Sequence, residues 1–252
     1  MLSIHRTIQI IIIILLLCYI SRLDKNVESF SKTLGIVIPT RKLSYIDRRY
    51  LKDLDYYLKA NYPYLSYKFI ILKQLNREYN RGALYNIAVS EFDCDYYSFQ
   101  DFETLPSGKA DYSYPRQPHH LVDRTSKCKE CIFKNGGVML INKDDFIKLN
   151  GYNNKLYELS DADFLNRIIY NFPNIKRCEN NIECKIKQNY GRHIVRYEEQ
   201  KTMLSKMKNY NVKNKMNTGF SELKYKIIEK QSIMNFPKNC IVLGCKVMKN
   251  KK

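Results

Sequence analysis

The sequence predicts an α/β domain with a mostly parallel central sheet flanked by helices. Three observations carry that expectation. Short β-branched apolar runs alternate with stretches whose apolar residues recur at helical spacing. No internal repeat or low-complexity segment interrupts this alternation. The 252 residues suffice for one sizeable domain.

Residues 34–39, Leu-Gly-Ile-Val-Ile-Pro, form a buried first strand that the proline stops. Residues 45–60 read as a helix, with Ile46, Leu51, Leu54 and Leu58 near one face. A second strand covers residues 68–72. A second helix covers 80–92, with Ala83, Leu84, Ile87, Ala88 and Phe92 at helical spacing. The third strand, 96–99, runs into Gln100-Asp101-Phe102-Glu103. Ligands of such sheets bind beyond the carboxyl ends of the strands, which puts Asp101 and Glu103 at an expected binding rim. Further on come a strand at 137–141, a short helix at 143–149, a helix at 161–170, and late strands at 225–229 and 240–247.

The N-terminus is of another kind. Residues 8–20 are apolar except for Gln9, and thirteen helical residues span roughly 20 Å against a ~30 Å hydrocarbon core. His5, Arg6 and Arg22 flank the run and can snorkel to lengthen it. A cleaved signal peptide has a run of this length too, but no small-x-small site follows. The expectation is an uncleaved signal anchor over residues 1–22, a polar stem over 23–33, and a catalytic domain over 34–252.

The formal charge is +18, from 43 Lys+Arg against 25 Asp+Glu. An anionic partner would account for it; so would codon bias, since Lys, Asn, Ile and Tyr are all abundant. The basic residues are dispersed and match no nucleic-acid-binding motif, and an anchored chain argues further against such a partner. Of the eight cysteines, Cys128/Cys131, Cys178/Cys184 and Cys240/Cys245 fall into close pairs. Cys128-x-x-Cys131 has no second such pair and no nearby Cys-His partner for zinc. Local disulfides in an oxidising compartment are expected, with the connectivity open.

The most informative stretch lies between residues 136 and 167. Gly136-Gly137-Val138 permits close approach of a ligand to the backbone. Asn150-Gly151-Tyr152 marks a hinge, and Ser160-Asp161-Ala162-Asp163 opens a helix. Carboxylates at a helix start either suit its positive end or serve as general bases and cation ligands.

In order along the chain, these segments resemble the beta-1,4-galactosyltransferase family. Ile36-Val37-Ile38-Pro39-Thr40-Arg41 looks like that family's Ile-Ile-Pro-Phe-Arg strand. Tyr79-Asn80-Arg81-Gly82-Ala83-Leu84-Tyr85-Asn86 is similar to its Phe-Asn-Arg-Ala-x-Leu-x-Asn helix start. Gln117-Pro118-His119-His120-Leu121 resembles Gln-Pro-Arg-His-Ile. Asn135-Gly136-Gly137-Val138 and Asn150-Gly151-Tyr152 look like its Phe-Gly-Gly-Val and Asn-Gly-Phe pair. The stretch from Asn217 to Tyr225 resembles its Gly-Leu-Asn-Ser-Leu-x-Tyr region, and the likeness spans roughly residues 34 to 248.

The resemblance implies a GT-A type single domain and a metal-dependent, inverting transfer of galactose, or N-acetylgalactosamine, from a UDP-sugar to a glycan hydroxyl. It implies a donor site of Pro39, Arg41, Arg81, Asp101, Phe102, Gly136 and Gly137. It places Glu103, His193 and Tyr190 around manganese or another divalent cation. Tyr157, Ser160 and Ala162 would meet the acceptor, and Asp161 would deprotonate its hydroxyl. A membrane-anchored enzyme of the Golgi or secretory lumen follows from the same likeness. Departures are visible. The family's Trp-Gly-Gly-Glu-Asp-Asp-Asp is here Tyr157-Glu158-Leu159-Ser160-Asp161-Ala162-Asp163, Glu103 replaces an aspartate, and Lys134 stands where donor choice is set. The alternative is a sugar-binding or scaffolding descendant that keeps the fold without turnover.

Overall fold

The computed structural model describes residues 10–19, 32–43, 45–76, 78–100, 105, 110–123, 137–157, 160–173, 216–233 and 239–248. At its centre β1 (Thr33–Thr40) pairs in parallel with β2 (Ser66–Gln74) on one side and β3 (Tyr96–Gln100) on the other. The seven-stranded sheet runs β4-β5-β3-β1-β2-β7-β6. It is completed by β4 (His119–Asp123), β5 (Gly137–Asn142), β6 (Tyr225–Ser232) and β7 (Cys240–Val247). The parallel character holds for the four middle strands, since β7 lies parallel to β2. Both flanks are antiparallel: β5 against β3, β4 against β5, and β6 against β7. A mostly parallel sheet is therefore right for the centre and not for the edges.

The strand period of two decides what covers each face. Ile36 and Ile38 of β1 point to one side, with Leu34, Phe69, Ile71 and Leu140. There α2 (Tyr45–Asn61) lays down Tyr50, Leu51, Leu54 and Leu58, all fully buried. Val37, Ile70, Leu72, Phe99 and Met139 point to the other side. They meet α3 (Arg81–Glu91), α4 (Lys143–Lys148) and α5 (Ser160–Asn171). Full burial of one such aliphatic side chain stabilises by about 1.5–3 kcal/mol. The second layer is rich in rings: Tyr152 stacks on Phe164 at 4.0 Å, and Tyr85 lies 4.6 Å from Phe99.

Of the local disulfides expected with open connectivity, none involves Cys240 or Cys245. Both are free and buried. They sit five residues apart on one extended strand, an odd spacing, so Cys240 enters the core on the α2 side and Cys245 the core on the other. No disulfide geometry spans that arrangement. Cys94 is also free and buried, while Cys128, Cys131, Cys178 and Cys184 lie outside the described residues.

Residues 10–19 form a helix, α1, whose isoleucines and leucines are 50–64 % exposed. Among the described residues no helix is long and apolar enough to cross a membrane. The rest of the expected anchor and the stem up to residue 31 lie outside them.

Candidate active site

The strand ends on one rim of the sheet carry the candidate site. β1 closes on Pro39, buried in register with Leu72, and on Thr40. The Thr40 hydroxyl donates to the Lys42 carbonyl at 2.9 Å and accepts from the Lys42 N–H at 3.2 Å. That turn turns Arg41 outward, its guanidinium carbon 5.2 Å from the Tyr79 ring centre. β2 closes on Gln74, whose amide folds the next loop back. Its Nε2 donates to Asn76 Oδ1 at 3.0 Å and to the Glu78 carbonyl, and its Oε1 accepts from the Asn80 N–H at 2.7 Å.

β3 closes on Gln100, fully buried, one residue before Asp101. Its side chain donates to Ser98 Oγ at 2.7 Å and Tyr112 Oη at 2.8 Å, and accepts from Tyr50 Oη at 3.0 Å. Every polar atom of that amide's reach is thus satisfied away from water, as a buried amide requires. Burial drives the Tyr112 phenol far above its ordinary range, so it stays neutral while it accepts from the Gln100 amide. Because β5 is antiparallel to β3 with Val138 opposite Gln100, Gly137 falls on this same rim.

Asn80 begins α3 by accepting the Ala83 N–H on its side chain at 3.0 Å, and its amide donates to the Asn154 carbonyl at 2.7 Å. Such a cap contributes about 1 kcal/mol. No acidic residue occupies the first turn of α3. The negative charge there comes from another helix: Asp161, in the first turn of α5, forms an ion pair with Arg81. The two side chains are 13 % and 27 % exposed.

Glycine makes this meeting possible. A Cβ on Gly82 would lie 2.9 Å from Tyr152 Cβ and 3.0 Å from Ser160 Cβ. Only a bare α-carbon lets the start of α5 sit directly on the start of α3. Asn86, one turn further, donates to the Tyr152 carbonyl at 2.7 Å and accepts from the Tyr152 N–H at 2.9 Å. The hinge at Asn150 and Gly151 has φ of 56° and 55°, left-handed geometry that glycine and asparagine tolerate best.

A second arginine–aspartate pair lies deeper in α5. Arg167 Nε stands 2.8 Å from Asp163 Oδ2, both side chains fully buried. The contact is an ion pair by distance, although the two atoms are not aligned as a hydrogen bond. The guanidinium also donates to the carbonyls of Leu149 at 3.2 Å, Gly151 at 3.3 Å and Thr218 at 2.7 Å. It thereby ties α5 to the hinge and to the 216–223 segment, which docks through Phe220 N–H on the Asn150 carbonyl at 2.8 Å.

Of the expected site residues, the structure brings Arg81 and Asp161 into contact and puts Pro39, Arg41 and Gly137 on the same rim. Tyr157 is 36 % exposed beside the start of α5, and Ala162 is half-buried. Ser160 is 1 % exposed, its hydroxyl donating to the Tyr157 carbonyl at 3.3 Å. As placed, it supports the loop and the Gly82 contact instead of facing an acceptor. Asp101, Phe102, Glu103, Gly136, Tyr190 and His193 lie outside the described residues. Among the described residues no group of three or more metal-ligating side chains occurs. The sequence reading missed Gln74, and it gave Tyr79, Asn86 and Arg167 no role of their own. The spacing of Asp163 and Arg167, four apart on a helix, was the one available signal for the last.

Comparison with known proteins bears on this geometry. Residues 119–190 match the family model described as the N-terminal domain of galactosyltransferase. Beta-1,4-galactosyltransferase 4 of Cricetulus griseus is 28% identical over 126 residues, which is 44% of this chain and 37% of that protein. Beta-1,4-galactosyltransferase 1 of Mus musculus is 26% identical over 156 residues, 57% of this chain and 38% of that protein. Over these stretches the chain is similar to beta-1,4-galactosyltransferases. The matched region spans a little over a third of the length of these curated relatives. A Drosophila beta-1,4-galactosyltransferase 7 variant, solved with manganese, UDP-Gal and xylobiose, superposes with a TM-score of 0.65 at 20% identity. It covers 87% of this chain and 95% of its own. The catalytic domain of the same Drosophila enzyme with xylobiose gives 0.63 at 19% identity, with the same coverage. These likenesses show the family's GT-A fold. The Asn80-Arg81 start of α3 supplies the helix cap and the ion pair to Asp161.

Proposed function

We propose that this chain is a metal-dependent inverting glycosyltransferase that moves galactose, or N-acetylgalactosamine, from a UDP-sugar to a glycan hydroxyl. The observation that carries the reading is the meeting of Arg81 and Asp161 at the rim where β1, β2 and β3 end. A transferase needs a cation for the departing diphosphate next to a base for the incoming hydroxyl, and this rim offers both on adjoining helix starts. The solved relative holding manganese, UDP-Gal and xylobiose supports the same reading.

In this scheme Asp161 accepts the proton of the acceptor hydroxyl as its oxygen attacks the anomeric carbon. The bond from that carbon to the β-phosphate oxygen breaks on the opposite face, and UDP leaves with the electron pair. Arg81 and Arg41 offer guanidinium groups to the phosphates, where fixed charge stabilises the leaving group. Glu103 and His193, with Tyr190, form the donor set assigned to the cation; a carboxylate and an imidazole suit manganese. A bound divalent ion supplies Lewis-acid stabilisation of the diphosphate. Tyr157, half in solvent, offers an aromatic face to the sugars.

The test is UDP release across a panel of UDP-sugars, with and without manganese, for the wild type and Asp161→Asn. Release that depends on metal and falls by roughly 10²–10⁴-fold in the variant is expected. Sugar binding without release from any donor would establish the non-catalytic alternative instead. The same proposal includes attachment to a secretory membrane through the exposed apolar helix of residues 10–19 and its flanks. Its check is whether the full chain stays with membranes through alkaline extraction while a chain starting near residue 30 does not.

A further inference from the structure

Arg81 faces two ways. It opens α3 directly after the β2 loop, next to the Arg41–Tyr79 pair, and it holds the Asp161 carboxylate from α5. The first turn of α3 brings no acid of its own, and Asp161 brings a carboxylate to this positive charge from α5. Both groups are partly open to solvent, unlike the Asp163–Arg167 pair behind them. A partly exposed ion pair is worth only about 0.2–1 kcal/mol. A dianionic diphosphate, which takes guanidinium in bidentate hydrogen bonds, is the stronger partner.

Resting on the transferase reading, we infer that Arg81 exchanges Asp161 for the diphosphate of a nucleoside diphosphate when the donor binds. In the empty protein Asp161 occupies the guanidinium and is unavailable to an acceptor hydroxyl. The arriving phosphates take Arg81 over, and the carboxylate is released for the incoming sugar. One side chain thus links the donor half of the site to the acceptor half. Gly82 and Asn80 fix the helix starts, so the exchange needs only side-chain rotation.

The inference makes a prediction opposite to that of a merely adjoining base. Asp161→Asn, nearly the same size, removes the competitor for Arg81. UDP, titrated calorimetrically into the full chain with manganese present, binds this variant up to about five-fold more tightly than the wild type, the whole of a roughly 1 kcal/mol pair. In an Arg81→Gln background UDP binds more weakly, and adding Asp161→Asn changes nothing further. Far-UV circular dichroism confirms that each variant is folded, and Arg81→Lys, which keeps the charge, retains part of the coupling. Equal or weaker UDP affinity in Asp161→Asn overturns the exchange while leaving the transferase reading intact. So does a gain that persists without Arg81, because general charge repulsion then explains it. If the wild type takes up no UDP at all, the transferase reading falls and this inference falls with it.

Discussion

Asp161 and Asp163 stand two residues apart on one helix, and each is paired with an arginine, yet they differ in kind. The Asp163–Arg167 pair is sealed at 0 % exposure and its guanidinium is further committed to three carbonyls. The Asp161–Arg81 pair lies 13 % and 27 % exposed, between two helix starts. The first is a fixed joint, the second a contact that solvent and ligand can reach. The difference teaches that depth, more than residue type, assigns a carboxylate to architecture or to chemistry. Breaking a buried pair strands a charge in a poor solvent, whereas breaking a rim pair exposes both partners to water.

The comparison breaks most violently at the sealed joint. Asp163→Asn, or Arg167→Met, is expected to lower unfolding free energy by about 3–5 kcal/mol, a large share of a typical domain's stability, read by urea denaturation. Asp161→Asn should leave the denaturation midpoint nearly where it was, within about 1 kcal/mol, and lower turnover by roughly 10²–10⁴-fold. If Asp161→Asn unfolds the chain as Asp163→Asn does, the distinction between joint and contact is lost.

Intermediate effects sharpen the same contrast. Gly82→Ala drives a methyl group into Tyr152 and Ser160 and pushes the helix starts apart. It should cost about 1–3 kcal/mol and also separate Arg81 from Asp161, so turnover falls along with stability. Asn80→Ala removes only the cap and the Asn154 contact, for about 1 kcal/mol.

The smallest expected effect is on the far strand. Burial pushes the Cys240 and Cys245 thiols up to about 12 from 9. A raised folded value means the neutral thiol is the favoured form. Its contribution is complete below pH 9 and fades as pH climbs from 9 towards 12. A modest alkaline fall in the denaturation midpoint is expected, with both thiols silent to alkylating reagents at pH 8 until the protein unfolds.

Much of this organisation could be read from the chain, because it is local. Alternating Ile and Val in β1 and the spacing of Leu51, Leu54 and Leu58 in α2 identify elements through period alone. The resemblance singles out Asp161 and Arg81 separately, and only the fold shows that they touch. What escaped depends on pairs distant in sequence. β4, five residues with a bulge after His120, shows no clean alternation. The antiparallel flanks cannot be seen in strands whose partners are set by long connections. Arg167 reaches a carbonyl 51 residues away at Thr218, and four-residue spacing by itself describes a solvated surface pair equally well. The resemblance puts Ser160 at the acceptor; its enclosure against Gly82 depends on a helix distant in sequence.

The place of β7 bears on how the polypeptide is made. This strand is synthesised long after β2, yet it slots in beside Phe69, Ile70, Ile71 and Leu72 of β2. Until then β2 presents an open, apolar border, a template for pairing with the wrong neighbour. Closing this border is therefore slow, as pairing between strands distant in sequence is. A chain terminated before residue 240 leaves β2 unpaired on that side and takes Cys240, Val242, Leu243 and Cys245 out of the two cores.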